Sequence, residues 1–201
     1  MLFFSSVQKD SGKKCAELLQ EKGCVLIVPT ETVYGLVCAW DDEAARQKIY
    51  ELKHRSPTKL FAAFVPDVEA AEKLCGRNLP EAARILAEKF MPGAITLIIP
   101  DREGHTFGFR IPDHPFIQDL LQHYRGGLAS TSANLSGEPP ALDVGSALKS
   151  IDGAPAAVVD GGALAEDSLA STIVQVTEDS RIKILREGGI PVRKIFAALQ
   201  M

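Results

Sequence analysis

Short, largely apolar runs alternate with helix-forming segments along this chain, and this alternation is what most constrains the fold. Three such runs lie at residues 24–28, 60–65 and 94–99, and only the last contains a polar residue, Thr96. Apolar runs of this length are typical of strands that are covered on both faces. Between them, apolar residues recur at helical spacing. The pattern predicts an α/β fold in which helices flank a central sheet.

The remaining elements follow from periodicity and from Gly and Pro at the ends of segments. The predicted helices are 11–22, 41–52, 68–74, 80–90, 116–123 and 192–199, and the predicted strands are 24–28, 60–65, 94–99, 106–110, 127–130, 156–159, 171–176 and 182–185. The last strands follow one another without helices, so part of the sheet should be antiparallel. We expect a twisted, mixed parallel and antiparallel sheet. The length favours a single domain over residues 1–201.

Composition narrows the class of protein. The net charge of −4 argues against general nucleic-acid binding, which needs a basic surface. The first residues lack the pattern of a signal peptide, and no apolar run approaches the ~20 residues of a membrane helix. We therefore expect a cytoplasmic protein with no membrane partner. The four cysteines form no Cys-x-x-Cys pair and are expected to be reduced.

Several familiar catalytic motifs are absent from the sequence. It has no G-x-x-x-x-G-K-[ST] phosphate loop, no G-x-G-x-x-G fingerprint, no His-Glu-x-x-His and no G-x-S-x-G elbow. The four histidines are scattered, which gives little support to a histidine-based triad. We predict no metal site formed by the protein alone.

Polar side chains follow the first apolar run, in the segment PTETVYGL at residues 29–36. Ligands of α/β sheets collect where strand ends meet loops. The hydroxyl of Thr32 and its neighbours could orient a small polar substrate there. A turn that caps the next element explains the same residues equally well.

Cations cluster in the next loop, where Lys53, Arg55 and Lys59 precede a predicted strand. The forked guanidinium of arginine and the mobile ammonium of lysine both suit phosphate oxygens. A solvated charged turn is the alternative.

Arg110, at the end of another strand, needs an anionic partner if it points inward. That partner is either a substrate carboxylate or a structural Asp or Glu.

The segment 130–136 is the longest polar run, and it holds Ser132 and Asn134. Its hydroxyls and carboxamide suit a ribose, a phosphate or an amino acid. We expect the predicted strand to end near Ser130 and the Asn134 amide to be exposed. A loop that caps a helix near Ala141 is the alternative. Two further polar residues lie at strand ends. Ser171 begins one of the later predicted strands, and Arg186 follows another, so they add a hydroxyl and a guanidinium group there.

Together these residues resemble a known family, the YrdC-like domain of threonylcarbamoyl-AMP synthases. Seven segments match in order: PTETVYGL at 29–36, KHR at 53–55, PGAIT at 92–96, FGFRIPDHP at 107–115, STSANLSGEP at 130–139, STIVQV at 171–176 and ILREGGI at 184–190. Each segment is weak alone, but seven in order are specific.

The resemblance implies a fold with an open basic cavity and an ATP-dependent nucleotidyltransferase reaction. L-Threonine, bicarbonate and ATP would give threonylcarbamoyl-AMP and pyrophosphate, for threonylcarbamoyladenosine modification of tRNA. By the family pattern, the threonine site would comprise Thr32, Arg110, Ser132 and Ser171. The ATP site would comprise Lys53, Arg55, Lys59, Asn134 and Arg186.

No covalent nucleophile is implied by this resemblance. Lys53 and Arg55 would act by positioning and charge stabilisation, and Mg²⁺ would arrive with ATP. Downstream threonylcarbamoyl-transferase proteins would be partners, and direct tRNA binding is left open.

The chain also departs from the family pattern. The departures are Ser56, Leu60, Phe64, Ala94, Ala170 and Leu142. They leave the cationic and hydroxyl residues intact but put the details of ATP contact in question. Two alternatives therefore stand beside the main interpretation. One is a paralogue that makes a different carbamoyl-adenylate, and the other is a module that binds RNA or a nucleotide without turnover.

Overall fold

A computed structural model describes residues 1–200 and contains one mixed sheet with helices on both faces. The strands are β1 Leu2–Ser5, β2 Leu26–Val28, β3 Gly35–Ala39, β4 Ala62–Phe64, β5 Ile95–Pro100, β6 Thr106–Arg110, β7 Leu128–Ser132, β8 Ala157–Asp160, β9 Thr172–Val176 and β10 Ile182–Arg186. The helices are α1 Ser11–Leu18, α2 Glu43–Leu52, α3 Val68–Cys75, α4 Glu81–Phe90, α5 Pro115–His123, α6 Val144–Lys149 and α7 Val192–Ala198.

The ten strands lie in the order β1-β8-β2-β3-β7-β4-β6-β5-β9-β10. Four neighbouring pairs are parallel: β1 with β8, β2 with β8, β4 with β6 and β5 with β9. The other five pairs are antiparallel. This confirms the α/β class and the mixed sheet, including the antiparallel pairing expected of the last strands.

Alternating strand residues supply the core on the two faces of the sheet. Ile27 faces α2 and α6, whereas Leu26 and Val28 face α1 and α5. Further along the sheet, α3, α4 and α7 pack on the same face as α2, against buried residues such as Phe109. Both faces of β2 meet helices, which explains its fully apolar run, whereas β4 meets helices on one face and lines a cavity with Ala62 on the other.

Aspartates fix the starts of three helices. The side chains of Asp42, Asp67 and Asp143 accept hydrogen bonds from backbone amides in the first turns of α2, α3 and α6. Each such cap stabilises its helix by about 1 kcal/mol. The Asp42 cap also accepts from the Gly23 amide, at 2.6 Å, and so joins α2 to the turn before β2.

Several sequence expectations differ from the structure. The first helix ends at Leu18 rather than residue 22, and turns lead from there to Gly23, whose φ is +77°. Strands β1 and β3 were not predicted, and helix α6 entered only through the alternative of a helix near Ala141. β3 was missed because its first residues, Gly35 and Leu36, end the polar segment 29–36, which was interpreted as a ligand loop or a turn. Strand β7 continues to Ser132 instead of ending near Ser130, because Ser132 pairs with Gly35 of β3.

All four cysteines are free thiols, and all four are buried. Burial raises the pKa of Cys15 and Cys38 to about 12. These thiols therefore stay protonated at neutral pH and act as small core residues. Separately, none of the helices within residues 1–200 has the length and apolar character needed to cross a bilayer.

Candidate functional site

A cavity of about 210 Å³ opens on one face of the sheet, above its central strands. Its walls come from β3, β4, β6, β7 and β9 and from the loops beside them. The lining residues are Thr30, Thr32, Val33, Gly35, Arg55, Leu60, Ala62, Phe64, Arg110, Ser130, Thr131, Ser132, Ala170, Ser171, Ile173 and Arg186.

Strand register explains why the cavity forms there. Ser130 pairs with Ala62 of β4, and Ser132 pairs with Gly35 of β3. Paired residues point to the same face of a sheet, and Ala129, the neighbour before Ser130, points into the core on the other face. The small partners leave space above the sheet. Two serine hydroxyl groups of β7 therefore lie at the cavity.

Arg110 ends β6 and is 4% exposed. Its Nε donates to the Gly93 carbonyl at 3.0 Å, and its Nη2 donates to Thr32 Oγ1 at 3.0 Å. Nη2 also forms an ion pair with Glu31 at 2.7 Å. The guanidinium carbon lies 5.7 Å from the centroid of the Phe64 ring. The structural carboxylate left open by the sequence is thus Glu31.

The contacts of Arg110 leave one side of its guanidinium group available. Within residues 1–200, Nη1 has no hydrogen-bond partner, and the side chain lines the cavity. A ligand acceptor can bind there without displacing Glu31.

The Thr32 hydroxyl is held in a small network at the cavity. Thr30 Oγ1 lies 2.7 Å from the Val33 carbonyl and 2.9 Å from Thr32 Oγ1, and it also accepts from the amides of Thr32 and Val33. Thr32 Oγ1 accepts from Arg110. These contacts hold the Thr32 hydroxyl at the cavity wall, where it can hydrogen-bond to a ligand.

Ser171 and Arg186 occupy another wall of the cavity. Ser171 Oγ is 2.8 Å from Thr96 Oγ1. Arg186 donates through Nε and Nη2 to the Ser171 carbonyl, at 3.2 and 2.8 Å. Burial lowers the pKa of Arg186, and the like charge of Arg110 lowers it further. An arginine remains charged at neutral pH despite such shifts, so an anion at this wall would be stabilised.

The segment 53–60 carries the predicted cations, but they point to different places. Arg55 lines the cavity and donates to the Leu60 carbonyl at 2.8 Å. Lys59 contacts Ser136 Oγ at 2.9 Å on the exposed side. Lys53 is 1% exposed, and its Nζ donates to the carbonyls of Ser132 and Asn134.

Asn134 corrects one expectation, because its side chain is buried and not exposed. It is 6% exposed, and its amide nitrogen donates to the carbonyls of Leu135 and Glu138 at 2.8 and 2.7 Å. Its Oδ1 is buried without a partner within residues 1–200. A short carboxamide that bonds to nearby backbone is typical of Asn in loops. Asn134 therefore shapes its own loop.

The cavity brings together most of the residues predicted for the site. Those that line it are Thr32, Arg55, Arg110, Ser132, Ser171 and Arg186, and those outside its lining are Lys53, Lys59 and Asn134. The sequence placed Thr30 and Ser130 in candidate polar segments without assigning them to a ligand, and it did not indicate Thr96 or the specific role of Glu31. The segment 29–36 signalled Glu31 and Thr30 by composition, but only the fold pairs Glu31 with Arg110.

Fold and site together define an α/β protein with a mixed open sheet and a polar cavity on one sheet face. The model of the Sua5/YciO/YrdC family, described as "Telomere recombination", matches residues 18–188. The chain belongs to this family, and the resemblance read from the seven segments is confirmed.

Comparison with individual proteins gives the same result. The chain is 35% identical over 180 residues to a human protein named threonylcarbamoyl-AMP synthase, an alignment that covers 83% of this chain and 63% of that protein. It is 35% identical over 196 residues to the protein of that name from Bacillus subtilis strain 168, covering 92% of this chain and 56% of that one.

Among solved structures, Pyrococcus abyssi Sua5 in complex with L-threonine superposes with a TM-score of 0.89 at 26% identity. The match covers 99% of this chain and 61% of that one. The chain thus spans less than two thirds of the length of each of these three proteins.

Proposed function

We propose that this chain is a threonylcarbamoyl-AMP synthase, which converts L-threonine, bicarbonate and ATP into threonylcarbamoyl-AMP and pyrophosphate. The observation that carries the proposal is the cavity itself. It places the guanidinium groups of Arg55, Arg110 and Arg186 around hydroxyls of β7 and of Ser171, which precedes β9. The names of the relatives and the threonine complex of the Pyrococcus protein support the same reaction.

The size of the cavity favours the amino acid as its occupant. Sites for drug-sized ligands measure about 300–1,000 Å³, and this one has about 210 Å³. An amino acid fits such a space, whereas a whole nucleotide does not. We therefore place threonine inside the cavity and ATP across its mouth.

Each predicted threonine ligand has a chemical role in this arrangement. Arg110 would bind the carboxylate through its unpartnered Nη1. Thr32, whose hydroxyl already accepts from Arg110, would form a hydrogen bond with the amino group or the hydroxyl of the substrate. Ser132 and Ser171 would supply the remaining hydroxyl contacts.

The cations without an acidic partner would bind the phosphates of ATP. Arg55 and Arg186 bind only backbone carbonyls and Ser171 Oγ within residues 1–200. Lys59 lies nearby on the exposed side, and Asn134 would contribute through the loop that it shapes. Arginine forks suit phosphate oxygens, and charge-assisted contacts are about twice as strong as neutral ones.

The reaction needs charge neutralisation and alignment more than a reactive side chain. Threonine and bicarbonate would form a carbamate with loss of water. A carbamate oxygen would then attack the α-phosphorus as pyrophosphate leaves. In-line phosphoryl transfer is catalysed mainly by positioning and electrostatic stabilisation, which the arginines can supply.

Mg²⁺ would enter as part of the ATP substrate. Residues 1–200 contain no group of three His, Cys, Asp or Glu side chains arranged to hold a metal ion. A phosphate-borne ion that keeps most of its waters needs no such group.

We also propose that residues 1–201 form one YrdC-like domain that acts in the cytoplasm. Its product would pass to threonylcarbamoyl-transferase proteins that modify tRNA.

Mass spectrometry of a reaction with the three substrates tests the proposal. Threonylcarbamoyl-AMP should accumulate together with pyrophosphate, and omission of bicarbonate should abolish both. Product formation from carbamoyl phosphate instead of threonine and bicarbonate would favour the paralogue. Absence of any adenylate would contradict the enzyme assignment.

Arg55→Ala adds a test at the proposed phosphate site. Loss of a hydrogen bond to a charged group is worth about 1.5–3 kcal/mol, so ATP affinity should fall about tenfold or more. Arg77→Ala is the matched control, because Arg77 pairs with Glu178 away from the cavity. Calorimetry should show unchanged ATP affinity for this control. Equal ATP affinities for the two variants would contradict a phosphate contact by Arg55 and would favour the alternative that the segment 53–60 is a solvated charged turn.

A further inference from the structure

Lys53 is a buried cation that contacts a loop and not the cavity. It follows the last residue of α2, and its Nζ donates to the carbonyls of Ser132 and Asn134. Its own carbonyl accepts from the Ser136 amide at 3.1 Å. We call residues 132–138 the polar loop. One lysine therefore holds three alternate residues of the polar loop.

The ammonium group of Lys53 has no acidic partner. No Asp or Glu oxygen of residues 1–200 lies within ion-pair distance. Burial, together with the like charges of Arg55 and Lys59, lowers its pKa to about 7. A buried charge is costly unless it is well satisfied, and an apolar residue of similar volume would fill the space at less cost. Packing alone thus does not account for Lys53.

The polar loop depends on the contacts of Lys53. Pairing of β7 with β3 ends at Ser132, and beyond it only the Ala133 amide continues the pairing, by donating to the Tyr34 carbonyl at 2.8 Å. Within residues 1–200 the Asn134 carbonyl accepts only from Lys53. The Asn134 side chain then bonds the loop to itself, through Leu135 and Glu138. Removal of the ammonium group would leave a buried carbonyl unpaired and the loop free to move.

We infer that Lys53 is a positioning residue, whose ammonium group clamps the polar loop to the end of α2 and thereby fixes Ser132 at the cavity wall. This inference rests on the proposed function for the identity of the ligands, threonine and ATP. The clamp itself is a property of the ligand-free chain. The phosphate contact predicted from sequence is then made by Arg55 and not by Lys53.

Hydrogen–deuterium exchange of the ligand-free chain tests the clamp without any assay of activity. Lys53→Met should speed exchange of the amides of residues 134–138 tenfold or more, while the β4, β5 and β6 amides stay protected. Lys89→Met is the matched control, because Lys89 is exposed on α4 and lies away from the cavity. It should leave exchange in the polar loop unchanged. Unchanged exchange in folded Lys53→Met would overturn the clamp, whatever reaction the chain catalyses.

Binding measurements separate a clamp from a phosphate ligand. A clamp predicts that Lys53→Met weakens threonine binding about tenfold in calorimetry without nucleotide. A phosphate ligand predicts weaker ATP binding with threonine affinity unchanged, and that result would overturn the inference. If no folded variant or wild-type protein binds threonine or ATP, the proposed function fails while the exchange result still decides the clamp.

Lys53→Arg keeps the test decisive if Lys53→Met does not fold. Arginine replaces lysine well at a phosphate, but its planar fork cannot reproduce one ammonium between two carbonyls. The clamp therefore predicts faster loop exchange and weaker threonine binding for Lys53→Arg. Wild-type behaviour of this variant in both measurements would overturn the clamp.

Discussion

At the scale of single residues, the site depends on how its buried charges are satisfied. Arg110 is held on one side by Glu31, Thr32 and the Gly93 carbonyl. A buried guanidinium without such partners would be strongly destabilising. These contacts fix its orientation before a ligand arrives, so the free Nη1 is preorganised.

Glu31→Gln should reveal the structural half of this arrangement. The variant keeps the shape of Glu31 but leaves Arg110 without its anion. We expect the free energy of unfolding to fall by about 2 kcal/mol. This is less than for a fully buried ion pair, because Glu31 is partly exposed. The melting temperature should fall by about 4–8 °C.

Glu178→Gln is the matched control for that measurement. It breaks the Arg77–Glu178 ion pair, in which the Glu178 side chain is 72% exposed. Exposed pairs contribute about 0–1 kcal/mol, so its melting temperature should change by about 4 °C at most. Equal shifts for the two variants in calorimetry would mean that Glu31 is not the buried partner of Arg110.

The pKa of Lys53 predicts a pH dependence of stability. It is about 7 in the folded chain and 10.5 for an unperturbed lysine. Between these values the unfolded chain binds the extra proton, so this contribution to the free energy of unfolding rises with pH. From pH 7 to pH 9 the wild type should gain about 2 kcal/mol relative to Lys53→Met.

Urea unfolding of both proteins at pH 7, 8 and 9 measures this difference. Buried thiols such as Cys15 and Cys38 have raised pKa values and act in the opposite direction at alkaline pH. They are present in both proteins, so their effect cancels in the comparison. Parallel stability curves for wild type and Lys53→Met would show that Lys53 is not a desolvated cation.

At the scale of elements, the site is formed where strands end beside polar loops. The sequence was sufficient to predict the α/β class, most strands and the segments that carry the cavity residues. It could not place β3, whose pairing with β7 extends the strand to Ser132. It predicted ligand contacts for Lys53 and Asn134, whose side chains bond to backbone carbonyls in the structure. Whether a polar side chain faces a ligand or its own backbone depends on tertiary contacts, which composition and spacing do not specify.

The segment 186–190 shows how closely two of these elements pack. Its Gly188 amide donates to Thr172 Oγ1 at 2.9 Å. A Cβ at Gly188 would overlap the Ala170 carbonyl oxygen and the Ser171 backbone. Because backbone atoms cannot rotate away as a flexible side chain can, Gly188→Ala should lower the free energy of unfolding by about 1–3 kcal/mol. It should also displace Arg186 from the cavity wall.

Denaturant titration and ATP calorimetry of Gly188→Ala measure both effects. Gly104→Ala is the control, because Gly104 has open space around it and only a φ of +84° to oppose a side chain. The free energy of unfolding of Gly104→Ala should fall by about 1 kcal/mol, and its ATP affinity should be unchanged. Unchanged ATP affinity in Gly188→Ala would show that the close packing at Gly188 does not set the position of Arg186.

At the scale of the whole molecule, the cavity unites residues that are far apart along the chain. Thr32 lies before β3, whereas Ser171 lies before β9, and Arg110 between them ends β6. These strands belong to one continuous sheet. A ligand bound in the cavity therefore contacts the sheet across several of its central strands, so the binding free energy should add to the stability of the entire sheet.

Calorimetry with threonine tests this linkage together with specificity. At about 100 times its dissociation constant, a ligand that binds only the folded state adds about 2.7 kcal/mol. Threonine should then raise the melting temperature by about 5–11 °C and move one cooperative transition as a whole. Valine has the shape of threonine without its hydroxyl, so a site whose polar groups bind that hydroxyl should reject it. Equal shifts with valine would contradict the threonine assignment, and a shift of only part of a split transition would contradict a single domain over residues 1–201.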